Sequence, residues 1–111
     1  MWEEIQTKEH LNQIIDASHQ QDVLLFKHST RCSLSTVAKI KLENDFDLLK
    51  KNNIQLYIID LIRFRDISNL IEETLNVRHE SPQVILLKNG KVVRHESHNR
   101  INVNDIVSWI E

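Results

Sequence analysis

Apolar residues along this chain follow two rhythms, one helical and one extended, and their alternation predicts the order of its elements. Leu11, Ile14 and Ile15 lie at helical spacing behind Thr7, whose hydroxyl can cap a helix running from Lys8 to about Ser18. Val23-Leu24-Leu25-Phe26 is then a continuous apolar run, the pattern of a strand buried on both faces, and it ends at Lys27 and His28. After the polar stretch Ser29-Thr30-Arg31, helical spacing returns in Leu34, Val37, Ala38, Leu42 and Phe46 and carries toward Leu49. Cys32 therefore falls where a buried strand hands over to a helix.

A turn at Lys50-Lys51-Asn52-Asn53 leads to a second strand, Ile54 to Ile59, so the two strands and the helix between them form a βαβ unit with parallel strands. A third helix starts at Asp66 or Ser68, carries Ile67, Leu70, Ile71, Thr74 and Leu75 on one face, and stops at Asn76, a residue that tolerates the left-handed conformation. Gln83 to Lys88 and Lys91 to Glu96 flank Asn89-Gly90, a strong hairpin signal because both residues accept positive φ. Asn102 caps a last helix that buries Val103, Ile106, Val107 and Ile110, with Trp109 one step off the stripe. The predicted order is α-βαβ-α-ββ-α: an α/β chain with a mixed central sheet flanked by helices, over residues 1–111 as one domain. This layout is similar to the thioredoxin fold, and Cys32 and Pro82 coincide with its two signature places.

Composition narrows the function classes. With 41% apolar and 27% charged residues the chain has the makeup of a packed globular domain. A net charge of -2 with both signs interspersed supplies no basic stripe for nucleic acid. No apolar run reaches the length of a membrane span, and the start, Met1-Trp2-Glu3-Glu4, lacks the basic and apolar character of a secretory signal, so a cytoplasmic location is expected. One cysteine cannot close an internal disulfide, so any disulfide it forms involves a second molecule.

Cys32 is the residue best placed for chemistry. A sulfur at a helix start meets unsatisfied backbone N–H groups and the positive end of the helix dipole, which favour thiolate over thiol, and Arg31 and Lys27 add positive charge nearby. A buried, inert thiol is the commoner fate of a lone intracellular cysteine, but Cys32 lies in a polar junction and not on an apolar stripe. Ser35, one turn further, is either an ordinary first-turn serine or a hydrogen-bond donor to the sulfur, and its hydroxyl cannot resolve a mixed disulfide. Ser81-Pro82 precedes a strand; a cis bond there would expose the Ser81 backbone to an extended substrate. His28 and His79 are secondary candidates for lining the site, whereas the histidines as a set show no metal-ligand spacing.

Lys27-His28-Ser29-Thr30 leading into Cys-x-x-Ser, the segment Val77-Arg78-His79-Glu80-Ser81-Pro82-Gln83, Asn89-Gly90 and His95-Glu96-Ser97-His98 together resemble the monothiol bacilliredoxins, the YtxJ-like family, over nearly the whole chain. The resemblance implies a thioredoxin-fold oxidoreductase that removes bacillithiol, a small cysteine-containing thiol, from S-bacillithiolated cytosolic proteins. It implies Cys32 as nucleophile, Ser35 at the non-resolving position and Pro82 as the cis-proline. Bacillithiol would be a co-substrate, with no tightly bound cofactor and a separate bacillithiol disulfide reductase as partner. Ser33-Leu34 stands where the family usually has Pro-Ile, which removes a proline that would fix φ in the first helical turn.

Two other classes remain open to the sequence. An iron-sulfur module could use Cys32 with an external thiol across a dimer, although the Cys-Gly-Phe-Ser motif of cluster-binding monothiol glutaredoxins is absent. A non-catalytic adaptor would use only the surface of the fold.

Overall fold

The computed structural model describes residues 2–110. Its elements are β1 (Glu3–Glu4), α1 (Lys8–Ala17), β2 (Val23–His28), α2 (Ser33–Asn44), α3 (Phe46–Lys51), β3 (Gln55–Asp60), α4 (Arg65–Leu75), β4 (Gln83–Lys88), β5 (Lys91–Ser97), a 3-10 turn (His98–Arg100) and α5 (Val103–Trp109). The five strands form one mixed sheet in the order β1-β3-β2-β4-β5, with β1, β3 and β2 parallel and β4 and β5 antiparallel to their neighbours.

Strand β2 lies at the centre, and all six of its residues are buried. Because successive side chains point to opposite faces, it feeds two cores. Leu24 and Phe26 join Ala38, Leu42, Leu49, Ile58, Val84, Leu86 and Ile106 on the α2, α3 and α5 side. Val23 and Leu25 join Leu11, Ile14, Ile59, Ile67, Ile71 and Ile85 on the α1 and α4 side. The same alternation carries Lys27 to the α4 side and His28 to the α2 side, where its ring stacks on Phe26 at 5.5 Å.

Local signals in the sequence set several boundaries. Thr7 caps α1 by accepting the His10 N–H, and Asn102 caps α5 by accepting from Asn104 and Asp105. Asn76 ends α4 in the left-handed conformation, φ 55. Asn89 and Gly90 make the β4–β5 turn with φ 55 and 76, and that turn docks on the end of α1, where Ser18 accepts the Asn89 N–H with its carbonyl and the Gly90 N–H with its hydroxyl.

Other expectations are corrected. The second helix does not run on to Leu49; it ends at Asn44, and α3 begins after Asp45. Its stripe is rotated as well: Ser35, Ala38 and Leu42 face the core, while Leu34 and Val37 are exposed, Val37 at 52%. Serine at position 35 is accepted inside because polar groups of the preceding turn meet it there. Helix α4 starts at Arg65 with no side-chain cap, earlier than Asp66 or Ser68 suggested, and Ser68 is buried in it. The two-residue β1 on the sheet edge was not anticipated; it is too short to show a period. Trp2 just before it packs on Phe26 and Phe46 and donates from its indole to Glu43.

A Cβ added at Gly90 would sit 2.9 Å from the exposed His19 ring, which can move, so the positive φ sets the main cost of a substitution. Gly90→Ala is expected to lower the unfolding free energy by about 1 kcal/mol in urea titration, with the slope of the transition unchanged.

Candidate functional site

Strand β2 delivers its last residues to a tight turn that opens α2. The Cys32 N–H donates to the Ser29 carbonyl at 3.2 Å, and the Cys32 carbonyl accepts the Thr36 N–H at 3.1 Å. Cys32 is thus the residue before the first helical turn, in an extended conformation (φ -116, ψ 119), and its side chain makes no capping hydrogen bond. The thiol is half-buried, and Arg31 beside it is exposed. With no side-chain oxygen in the capping place, the first N–H groups of α2 have no side-chain acceptor from the capping residue.

Ser35 is fully buried and turned toward the strand. Its Oγ accepts the Ser29 N–H at 3.0 Å and lies 2.6 Å from His28 Nδ1. Burial first, and then Lys39, lower the pKa of His28 against the opposing pull of Asp60 and Glu43. A neutral His28 whose Nδ1 accepts uses the one hydroxyl proton of Ser35. Of the two roles the sequence left open, the geometry gives Ser35 the structural one: it ties the turn that carries Cys32 back onto β2. His28 also lines a groove of about 640 Å³ with Trp2, Thr30, Lys39 and Asp60.

Pro82 comes to the same end of the sheet by strand pairing, since Gln83 lies directly opposite Lys27 in the antiparallel β2–β4 ladder. The Ser81-Pro82 bond is cis. The Pro82 carbonyl accepts the His98 N–H at 2.9 Å, and Ser97 Oγ donates to Glu80. Among the described residues neither the N–H nor the C=O of Ser81 has a backbone hydrogen-bond partner.

Lys27 and His79 meet on the opposite face from His28. Lys27 is fully buried, its Nζ donates to the Ser68 carbonyl at 3.1 Å, and it lies 3.1 Å from His79 Nδ1. Burial lowers the Lys27 pKa to about 8 against the pull of Glu72. His79 is lowered by burial and then by Lys27 and Arg65. The candidates therefore divide into a turn (His28, Cys32, Ser35) and a segment beside it (His79, Ser81, Pro82) whose anchor is Lys27. Sequence reasoning missed the partners Ser29, Ser68, Glu72 and Gln83; the one signal was a lysine at the end of an apolar run, and only the strand register says what it meets. Among the described residues no three His, Cys, Asp or Glu side chains form a metal-binding group, and no helix is long and apolar enough to cross a membrane.

The family model of the monothiol bacilliredoxin BrxC matches residues 3–106. The chain belongs to the monothiol bacilliredoxin family. A solved structure described as an oxidoreductase with a thioredoxin fold is similar at 28% identity and TM-score 0.83, over 97% of this chain and 92% of that one. Thioredoxins of Fasciola hepatica and Trypanosoma brucei brucei superpose with TM-scores of 0.78 and 0.79 at 14% and 11% identity. They cover 100% and 99% of this chain, and 100% and 88% of their own lengths, and at such identity they show the shared fold. A bacilliredoxin with one cysteine is a monothiol, and its redox role is thiol-disulfide oxidoreduction.

Ser35→Ala leaves the Ser29 N–H without an acceptor inside the turn and is expected to cost about 1–3 kcal/mol in urea unfolding. The lowered pKa values of His28 and His79 fix a pH dependence. As pH falls through 6.5 the unfolded chain takes up protons that the folded chain still refuses, so stability declines from there downward. Glu43 and Glu80, lowered from 4.5, act only at more acid pH. Urea midpoints should therefore fall between pH 7.5 and 5.5, and His28→Gln should flatten that decline.

Proposed function

We propose that this chain removes bacillithiol from S-bacillithiolated proteins by taking the small thiol onto Cys32. The observation that carries the reading is a single thiol at the unfilled start of α2 in a chain of the monothiol bacilliredoxin family. Cys32 thiolate attacks the bacillithiol sulfur of the mixed disulfide, the bond to the protein sulfur breaks, and the protein leaves as thiolate. Cys32 then carries bacillithiol in a new mixed disulfide. With no second thiol in the chain, release requires a bacillithiol thiolate from solution, which attacks the adduct, forms bacillithiol disulfide and returns Cys32 as thiolate. A separate reductase restores bacillithiol from its disulfide, in the reducing setting of the cytoplasm.

The Ser81 backbone, without a backbone hydrogen-bond partner among the described residues, offers an edge on which an extended stretch of the protein substrate can pair while its sulfur leaves. Arg31 places a positive charge next to the reacting sulfurs. Ser35 holds the turn, as its bonds to Ser29 and His28 require, and takes no part in resolution.

Multiple turnover should need both Cys32 and free bacillithiol: Cys32→Ser abolishes protein reduction, and omission of bacillithiol limits wild type to one equivalent per chain. Ser35→Cys should change the fate of the small thiol, which is released into solution as an internal disulfide forms, and each chain then needs an external reductant before it can react again. Protein thiol release and intact mass read both effects. Undiminished reduction by Cys32→Ser contradicts the reading.

A further inference from the structure

Lys27 is a costly residue for its position. It sits at 0% exposure in a central strand whose neighbours on that face, Val23 and Leu25, are apolar. A buried ammonium contributes less to stability than a packed apolar side chain of similar volume unless its hydrogen bonds accomplish something. Here they join two pieces of backbone. One N–H of the ammonium goes to the Ser68 carbonyl in α4, and another points at His79 Nδ1 in the segment 78–83, which belongs to no helix and, up to Pro82, to no strand. His79 is gripped from its other side as well, because its backbone N–H donates to Glu72 at 2.8 Å. Gln83, opposite Lys27 in register and fully buried, closes the segment on itself through Nε2 to the Arg78 carbonyl at 3.0 Å. Among the described residues Gln83 Oε1 and Ser81 Oγ are buried without a partner beside this cluster, which marks the interior around Lys27 as polar space and not as apolar core.

We propose that Lys27 is a positioning residue for thiol exchange: through His79 it latches the segment 78–83 and so holds the Ser81 backbone where a protein substrate pairs. The role rests on the exchange reading above. Lys27 cannot touch substrate itself, because it is fully buried, so its effect travels through His79. The latch is also sensitive to acid. When His79 takes up a proton, an imidazolium and an ammonium face each other across 3.1 Å and the acceptor is lost. Glu72 and Arg65 from α4 and Glu80 from the segment itself are the other charged groups that face His79, and the two carboxylates only partly offset the two cations.

The test compares His79→Leu, His79→Asn and Lys27→Met with wild type. It measures KM and kcat for reduction of a bacillithiolated protein, and the rate at which iodoacetamide alkylates Cys32, a reaction that needs no backbone pairing. His79→Leu and Lys27→Met should raise KM about tenfold, the scale of one lost charge-assisted hydrogen bond, with kcat and alkylation unchanged. His79→Asn should restore KM, since its amide oxygen can take the place of Nδ1. Wild-type KM should rise as pH falls from 7.5 to 5.5, and His79→Asn should be flat over the same range. If Lys27→Met fails to fold, the His79 pair decides. Unchanged KM in His79→Leu, or equal losses in alkylation and in the Asn variant, overturns the latch. If wild type alkylates normally yet leaves the mixed disulfide intact, the exchange reading fails, and the latch fails with it.

Discussion

Everything at the candidate site depends on one strand being buried on both faces. A strand in that position must be apolar along its length, and β2 is so from Val23 to Phe26. It then departs from the rule at its last two residues, and each departure is compensated on its own side of the sheet. Lys27 finds acceptors in α4 and in the segment before β4, while His28 finds the Ser35 hydroxyl. The two halves of the site are thereby tied to the central, fully buried strand of the sheet. The turn carrying Cys32 hangs from β2 through Ser35, and the Ser81 edge hangs from β2 through His79 and the Gln83 pairing.

This arrangement separates holding from reacting. Serine one helical turn after the cysteine is hydrogen-bonded to Ser29 and His28, and it is buried away from solvent. The sulfur of Cys32, by contrast, fills no capping role, and its side chain is partly open. A monothiol reaction asks for that division: nothing in the chain needs to move toward the sulfur, because both of its partners, the mixed disulfide and the releasing thiol, arrive from solution.

How much of this was legible depended on how local the deciding chemistry is. Thr7, Asn76, Asn89-Gly90 and Asn102 act through their own backbone or that of the next few residues, and each marks the boundary expected of it. The position of Cys32 followed for the same reason, from a strand ending and a helix beginning. The rotation of α2 was not legible, since Leu34, Val37 and Ile40 keep a helical spacing whether they face core or solvent, and what settles the matter is that Ser35 has partners inside. The break at Asp45 and the two-residue β1 are too short to leave a period. The grouping of Lys27 with His79, Ser68 and Gln83 spans 41 to 56 positions of chain and exists only once the β2–β4 register is set.

The central claim is that one sulfur carries the small thiol between two molecules. A single-turnover mixture tests it most directly: reduced chain and a singly bacillithiolated protein in equal amounts, without free bacillithiol or reductase, followed by intact mass of both partners. The account predicts that the mass of one bacillithiol leaves the protein and remains on this chain at Cys32. A stable disulfide between the two proteins, or bacillithiol found free in solution, would contradict it.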